Sequence, residues 1–205
     1  MAQHRTRVDA GTPPPGQAPA DFQAALEALA TVHPRPEVEL EDIPAPQRLA
    51  PWSHAIGLRV GVPGDEEEEL ASGRFIVLFD PEGHEAWAGT TRCVGYVSAG
   101  TDSEMVDDSM FSEVAWSWLT DALTEHAVGH HSVGGTVTRT ASTRFGAIAA
   151  PEHSVDVEIR ASWTAEGTDL DKHLLAFIEV LANAAGLPPA GIHLLTSNGQ
   201  ADGGA

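Results

Sequence analysis

Three histidines, His126, His130 and His131, form the densest set of potential ligands in the chain. A spacing of four would set His126 and His130 on one helical face, as a metal requires. Gly129 between them ends any helix, so the spacing loses that meaning. No third or fourth ligand follows locally, and a metal needs a complete set. The three are therefore read as loop histidines, and no metal or cofactor is expected.

A second candidate is the polar side of a strand. Asp156, Glu158 and Arg160 alternate along Ser154 to Trp163 and point the same way, because residues two apart on a strand share a face. The ordinary reading is a solvent-facing salt-bridged surface. If the strand over Thr136 to Thr140 lies adjacent, Thr136 and Thr138 extend that face. Trp116 beside it would supply an aromatic wall, the usual form of a ligand or peptide site. The candidate binding residues are thus Trp116, Thr136, Thr138, Glu158 and Arg160.

Other groupings resolve into structure. Asp80, Glu82, His84 and Glu85 could do acid–base work. Asp80-Pro81-Glu82-Gly83 fits a type I turn, however, which accounts for those residue types. Gly129 to Gly134 lacks the glycine-x-serine-x-glycine spacing of a nucleophile elbow. Phosphate-loop and dinucleotide fingerprints are absent. Cys93 reads as a small core residue. No catalytic residue is assigned.

The elements that position these residues follow from periodicity. A helix is expected from Pro19, with Phe22, Ala25, Leu26 and Leu29 as its stripe. Glu37 to Ile43 reads as an edge strand guarded by glutamates. Three prolines between Ile43 and Pro51 forbid regular structure. Trp52 to Val60 alternates as a half-buried strand, and Gly64 to Glu69 is expected to be a loop. Gly73 to Val97 is read as an antiparallel hairpin reversing at 80–83, its first strand apolar on both sides through Phe75, Val77 and Phe79 against Ile76 and Leu78. A helix from about Ser109 buries Phe111, Val114, Ala115, Trp118, Leu119 and Ala122, with Trp116 at the margin. Glycine-rich 129–135 is taken as a loop before the Thr136 strand. The last helix, about Thr168 to Ala185, carries Leu170, Leu174, Phe177, Ile178 and Leu181. It stops at Gly186, before two prolines.

The order is α-ββββ-α-ββ-α. Short connections favour antiparallel pairing, so the expected class is α+β: an antiparallel sheet of about 5–6 strands carrying three helices. This order is similar to that of secretion-chaperone-like folds, which are binding folds. Residues 1–18 are expected to be a disordered tail, 19–190 one globular domain, and 191–205 a mostly disordered tail.

The 205 residues carry a net charge of -19. A polyanion is repelled by nucleic acid and anionic membranes, so neither is an expected partner. Lys172 is the only lysine, and the arginines are scattered along the sequence. One cysteine excludes a disulfide framework. No apolar run reaches the ~20 residues of a membrane span, and the N-terminal segment lacks the apolar core of a secretory signal. The expectation is a cytoplasmic protein.

Several strings resemble an actinobacterial family of unknown function, the "domain of unknown function 3000" family. They are Arg35 to Pro51, Gly73 to Gly83, Val114 to Leu119, Gly135 to Thr138, Glu158 to Trp163 and Ala185 to Pro189. The resemblance spans roughly Asp21 to Pro189 and implies no established activity and no catalytic residues. It also implies genomic neighbours that include uroporphyrinogen decarboxylase and a ribonuclease D-like protein. The expected role is a non-enzymatic binding or adaptor domain engaging a partner protein or small ligand. Alternatives are an enzyme of unknown class around Glu158 and Arg160, and a regulator linked to tetrapyrrole or RNA metabolism.

Overall fold

The computed structural model describes residues 18–62, 65–101, 109–126, 129–148 and 154–189. The two terminal tails expected from composition lie almost wholly outside those residues, as does the whole of 102–108. Among these residues three α-helices and six strands follow one another as α1 (Ala20–Ala30), β1 (Val38–Asp42), β2 (Trp52–Val62), β3 (Asp65–His84), β4 (Gly89–Thr101), α2 (Phe111–Glu125), β5 (His130–Ser142), β6 (Ser154–Ala165) and α3 (Leu170–Ala184). The α+β class and the α-ββββ-α-ββ-α order are those expected.

All strand pairs are antiparallel, in the order β1-β2-β3-β4-β6-β5. β1 is an edge, as its glutamates imply. β5 is the other edge: α2 carries the chain from β4 past the place that β6 later fills. β3 sits centrally, as its two apolar sides suggested.

The core lies on one side of the sheet. α3 packs across β3 and β4, with α1 and α2 on its flanks. A helix covered on three sides buries more than one stripe. His173, Ala176, Val180 and Ala182 are buried beside the expected Leu170, Leu174, Phe177, Ile178 and Leu181. Two strand glycines make α3's close approach possible. A Cβ on Gly95 would lie 2.5 Å from Phe177 Cε2, and one on Gly73 would lie 3.4 Å from both Phe177 and Leu181. Phe177 therefore packs closely on the sheet, its ring centroid 5.6 Å from that of Phe75, which in turn lies 6.1 Å from that of Trp163. Burying each such ring contributes roughly 2–3 kcal/mol. Gly186 ends α3 at φ +70, and Leu187 N–H donates to Ala182 O, closing the helix as its sequence specified.

Four local expectations are corrected. The run Glu66 to Glu69 belongs to β3 rather than a loop: β2 continues to Val62, and Gly61 pairs with Glu69 and Val62 with Asp65 across two register shifts. The hairpin does not reverse at 80–83. Phe79 pairs with Thr91 and His84 with Gly89, so the extra residues on β3 form a bulge. Asp80 Oδ1 accepts from Glu82 N–H at 3.1 Å within it. The reversal falls on Glu85–Trp87, a short 3-10 turn closed by Ala88 at φ 54. β5 begins at His130, so 129–135 is not a loop. Val114 is exposed on α2, because α3 and the sheet meet the helix along Phe111, Ala115, Leu119, Ala122 and Leu123.

Candidate functional site

Among the described residues no helix packs on the second side of the sheet. The register lays its side chains out in cross-strand rows. One runs Gly57–Arg74–Tyr96–Arg160–Thr136, from β2 to β5. The rows on either side run Ala55–Ile76–Val94–Ser162–Gly134 and Arg59–Ser72–Ser98–Glu158–Thr138. The next row beyond Val94 contains Arg92, opposite Thr164. Arg59, Arg74, Arg92 and Arg160, scattered in sequence, thus share the face that no helix of the described residues covers.

Each arginine has a different environment. Arg92 stitches the face together. Its Nη1 donates to Ser132 O at 2.9 Å and Thr164 Oγ1 at 3.0 Å, and its Nη2 to Ser162 Oγ at 2.7 Å. These bonds hold the β5 bulge, where Ser132 sits at φ 52, against β6. Desolvation lowers the Arg92 pKa from its ordinary value. Arg59 faces Glu39 at 3.6 Å. Arg160 Nη2 donates to Glu158 Oε2 at 2.8 Å while its guanidinium carbon lies 5.4 Å from the Tyr96 ring centre. Tyr96 OH donates to the other Glu158 oxygen at 3.1 Å. Arg74 is exposed and makes no hydrogen bond or ion pair among the described residues.

Two wide-mouthed recesses share Arg74 and Tyr96. The one toward β5, about 720 Å³, is lined by Arg74, Tyr96, Arg160, Ile76 and Val94 with no carboxylate. The one toward β1, about 740 Å³, includes Glu39, Glu41 and Glu69 with Arg59 and Arg74.

The sequence-derived set divides between the two sides of the sheet. Thr136, Thr138, Glu158 and Arg160 share the open face. Trp116 lies beneath it, on the helix side: a Cβ on Gly135 would come within 2.8 Å of its Cζ3. Gly135 pairs with Ala161, whose side chain is buried. Arg74, Tyr96, Ile76 and Val94 were not among the expected residues. Alternation in β3 and β4 placed them on one face of each strand, but only strand order sets them beside Arg160.

The remaining candidates stand apart. His126 Nε2 meets Glu179 Oε2 of α3 at 3.0 Å, and His131 Nδ1 meets Ser132 Oγ at 3.0 Å. No group of three or more metal-capable side chains gathers among the described residues. His84 stacks on Trp87, centroids 4.6 Å apart, and its Nδ1 accepts from Ala86 N–H. Cys93 is fully buried, and desolvation pushes its thiol pKa up, away from the reactive thiolate. Among the described residues no helix is long and apolar enough to cross a membrane.

No curated protein and no solved structure matches the chain. A family model described as "Protein of unknown function (DUF3000)" matches residues 18–193. That span takes in all six strands and all three helices, and the chain belongs to this family.

Proposed function

We propose that this protein is a non-enzymatic cytoplasmic binding domain that engages its ligand or partner with the uncovered face of the sheet. The observation that carries the reading is the row Arg74–Tyr96–Arg160, presented in a recess on the face opposite the helices. A sheet that uses one side for its core and fills the other with arginines, an aromatic ring and a shallow apolar floor has the composition of a recognition surface. An enzyme centred on Glu158 and Arg160 is the weaker reading. Both Glu158 oxygens are taken, one by Arg160 and the other by Tyr96, so the carboxylate is not held ready as a base. The link to tetrapyrrole or RNA metabolism has no residue behind it on this face.

The test is a photo-crosslinking amino acid placed at Ile76 on the open face, and separately at Asp121 on the exposed side of α2, with the full chain expressed in its source cells. The reading expects a discrete adduct, detected as added mass, from position 76 alone, and its loss on Arg74→Glu. Identical adducts from both positions, or none from position 76, would overturn it.

A further inference from the structure

We infer that the recess between Arg74 and Arg160 is a carboxylate subsite, and that the ligand is a small organic acid whose apolar body rests on Ile76 and Val94. This deepens the binding reading and rests on it. The chain has 30 acidic residues against 11 basic ones, so a recess lined by two arginines and no carboxylate departs from the protein's own charge balance, even with Glu158 pairing Arg160 from outside the lining. The neighbouring recess shows the contrast: it shares Arg74 yet adds Glu39, Glu41 and Glu69. An anion meeting this face is directed to the β5 side.

The geometry suits the task. Arg74 and Arg160 flank Tyr96 in one row, so their backbones stand two strand spacings apart, roughly 10 Å. Side chains as long as arginine's close that gap from both sides around a carboxylate. Arg160 spends one donor group on Glu158 and is steadied by the Tyr96 ring, leaving further N–H groups. Arg74 has no competing partner among the described residues. Arginine's planar fork grips a carboxylate through two parallel bonds, which a lysine cannot do. Thr136 and Ser162 also line it, with the Ser162 hydroxyl accepting from Arg92. A space of about 720 Å³ falls within the ~300–1,000 Å³ of small-molecule sites.

The experiment is an amide NMR titration of the full chain with 2-naphthoate, 2-naphthamide, 2-naphthyl phosphate and inorganic phosphate. The inference expects naphthoate to move the amide signals of Ile76, Val94, Tyr96 and Thr136. It expects affinity to fall by at least about tenfold with naphthamide, or on Arg74→Gln, the scale of one lost charge-assisted hydrogen bond. Unchanged signals elsewhere in Arg74→Gln show that the variant is folded. Equal binding of naphthamide, stronger binding of naphthyl phosphate, response to inorganic phosphate alone, or shifts centred on Glu39 and Glu41 would each overturn the carboxylate subsite. Silence from every probe would overturn it too. The adduct from position 76 would still stand in any of these cases, which separates failure of this inference from failure of the binding reading.

Discussion

Trp163 donates its indole N–H to His173 Nδ1 at 3.0 Å, and both side chains are fully buried. An indole can only donate, so Nδ1 must be the unprotonated nitrogen and the ring's proton sits on Nε2. His173 is held neutral, and Nε2 finds no partner among the described residues. The pair fixes the end of α3 nearest Leu170 to the C-terminal end of β6.

This pairing predicts an acid sensitivity. Desolvation, with a smaller effect from His130, pushes the His173 pKa from 6.5 down to about 4, against a weak opposing pull from Asp169. The unfolded chain takes up this proton below pH 6.5 and the folded chain only near pH 4, so stability falls as pH drops through that window. A fall of that size corresponds to about 3 kcal/mol. Urea unfolding between pH 7.5 and 4 should show the wild type losing about that much more than His173→Gln, whose amide oxygen still accepts the indole proton. Parallel losses in the two proteins would refute the assignment.

Gly95 predicts a second outcome. A Cβ there meets Phe177 at 2.5 Å, with Phe75 packed behind that ring. Gly95→Ala should destabilise by about 1–3 kcal/mol, the usual cost of overpacking a filled core. Gly100→Ala on the same strand, where nothing lies within 4 Å, is the control for strand propensity. Chemical denaturation of the two variants checks this, and equal midpoints would count against the contact.

Trp116 and Tyr96 should separate in their effects. Trp116→Phe removes indole packing over Gly135 and should cost about 1 kcal/mol of stability or more, while 2-naphthoate binding on the open face stays unchanged. Tyr96→Phe keeps the ring under Arg160 but loses the bond to Glu158, a partly exposed contact worth about 1 kcal/mol or less. It should alter naphthoate affinity more than it alters the unfolding midpoint. Isothermal titration beside thermal unfolding distinguishes the two.

The ion pair of Arg160 and Glu158 is exposed, with side chains 65% and 31% accessible. Glu158→Gln should therefore leave stability within about 1 kcal/mol of wild type. The same change frees Arg160 and should tighten naphthoate binding; weaker binding would show that Glu158 helps form the recess.

Local sequence determined the helices and the faces of the strands, but not where the β3–β4 hairpin turns or where β3 and β5 begin. Val155, Val157, Ile159, Ala161 and Trp163 alternate in sequence and all five are buried, because a strand's side chains switch faces at each residue. The stripe of α3 and its glycine stop were legible for the same kind of reason, as were the glutamates that mark β1 as an edge. Alternation says which residues of one strand point together. It does not say which strands lie side by side. Arg74 and Arg160 are far apart in sequence, and only the insertion of β6 between β4 and β5 brings their strands onto either side of Tyr96. Trp116 shows the converse. Its place at the margin of a helical stripe was readable, but which side of the sheet that margin meets depended on α2 packing against Gly135. The elements were written in nearest-neighbour chemistry, whereas the recess was decided by backbone register across strands that no local pattern encodes.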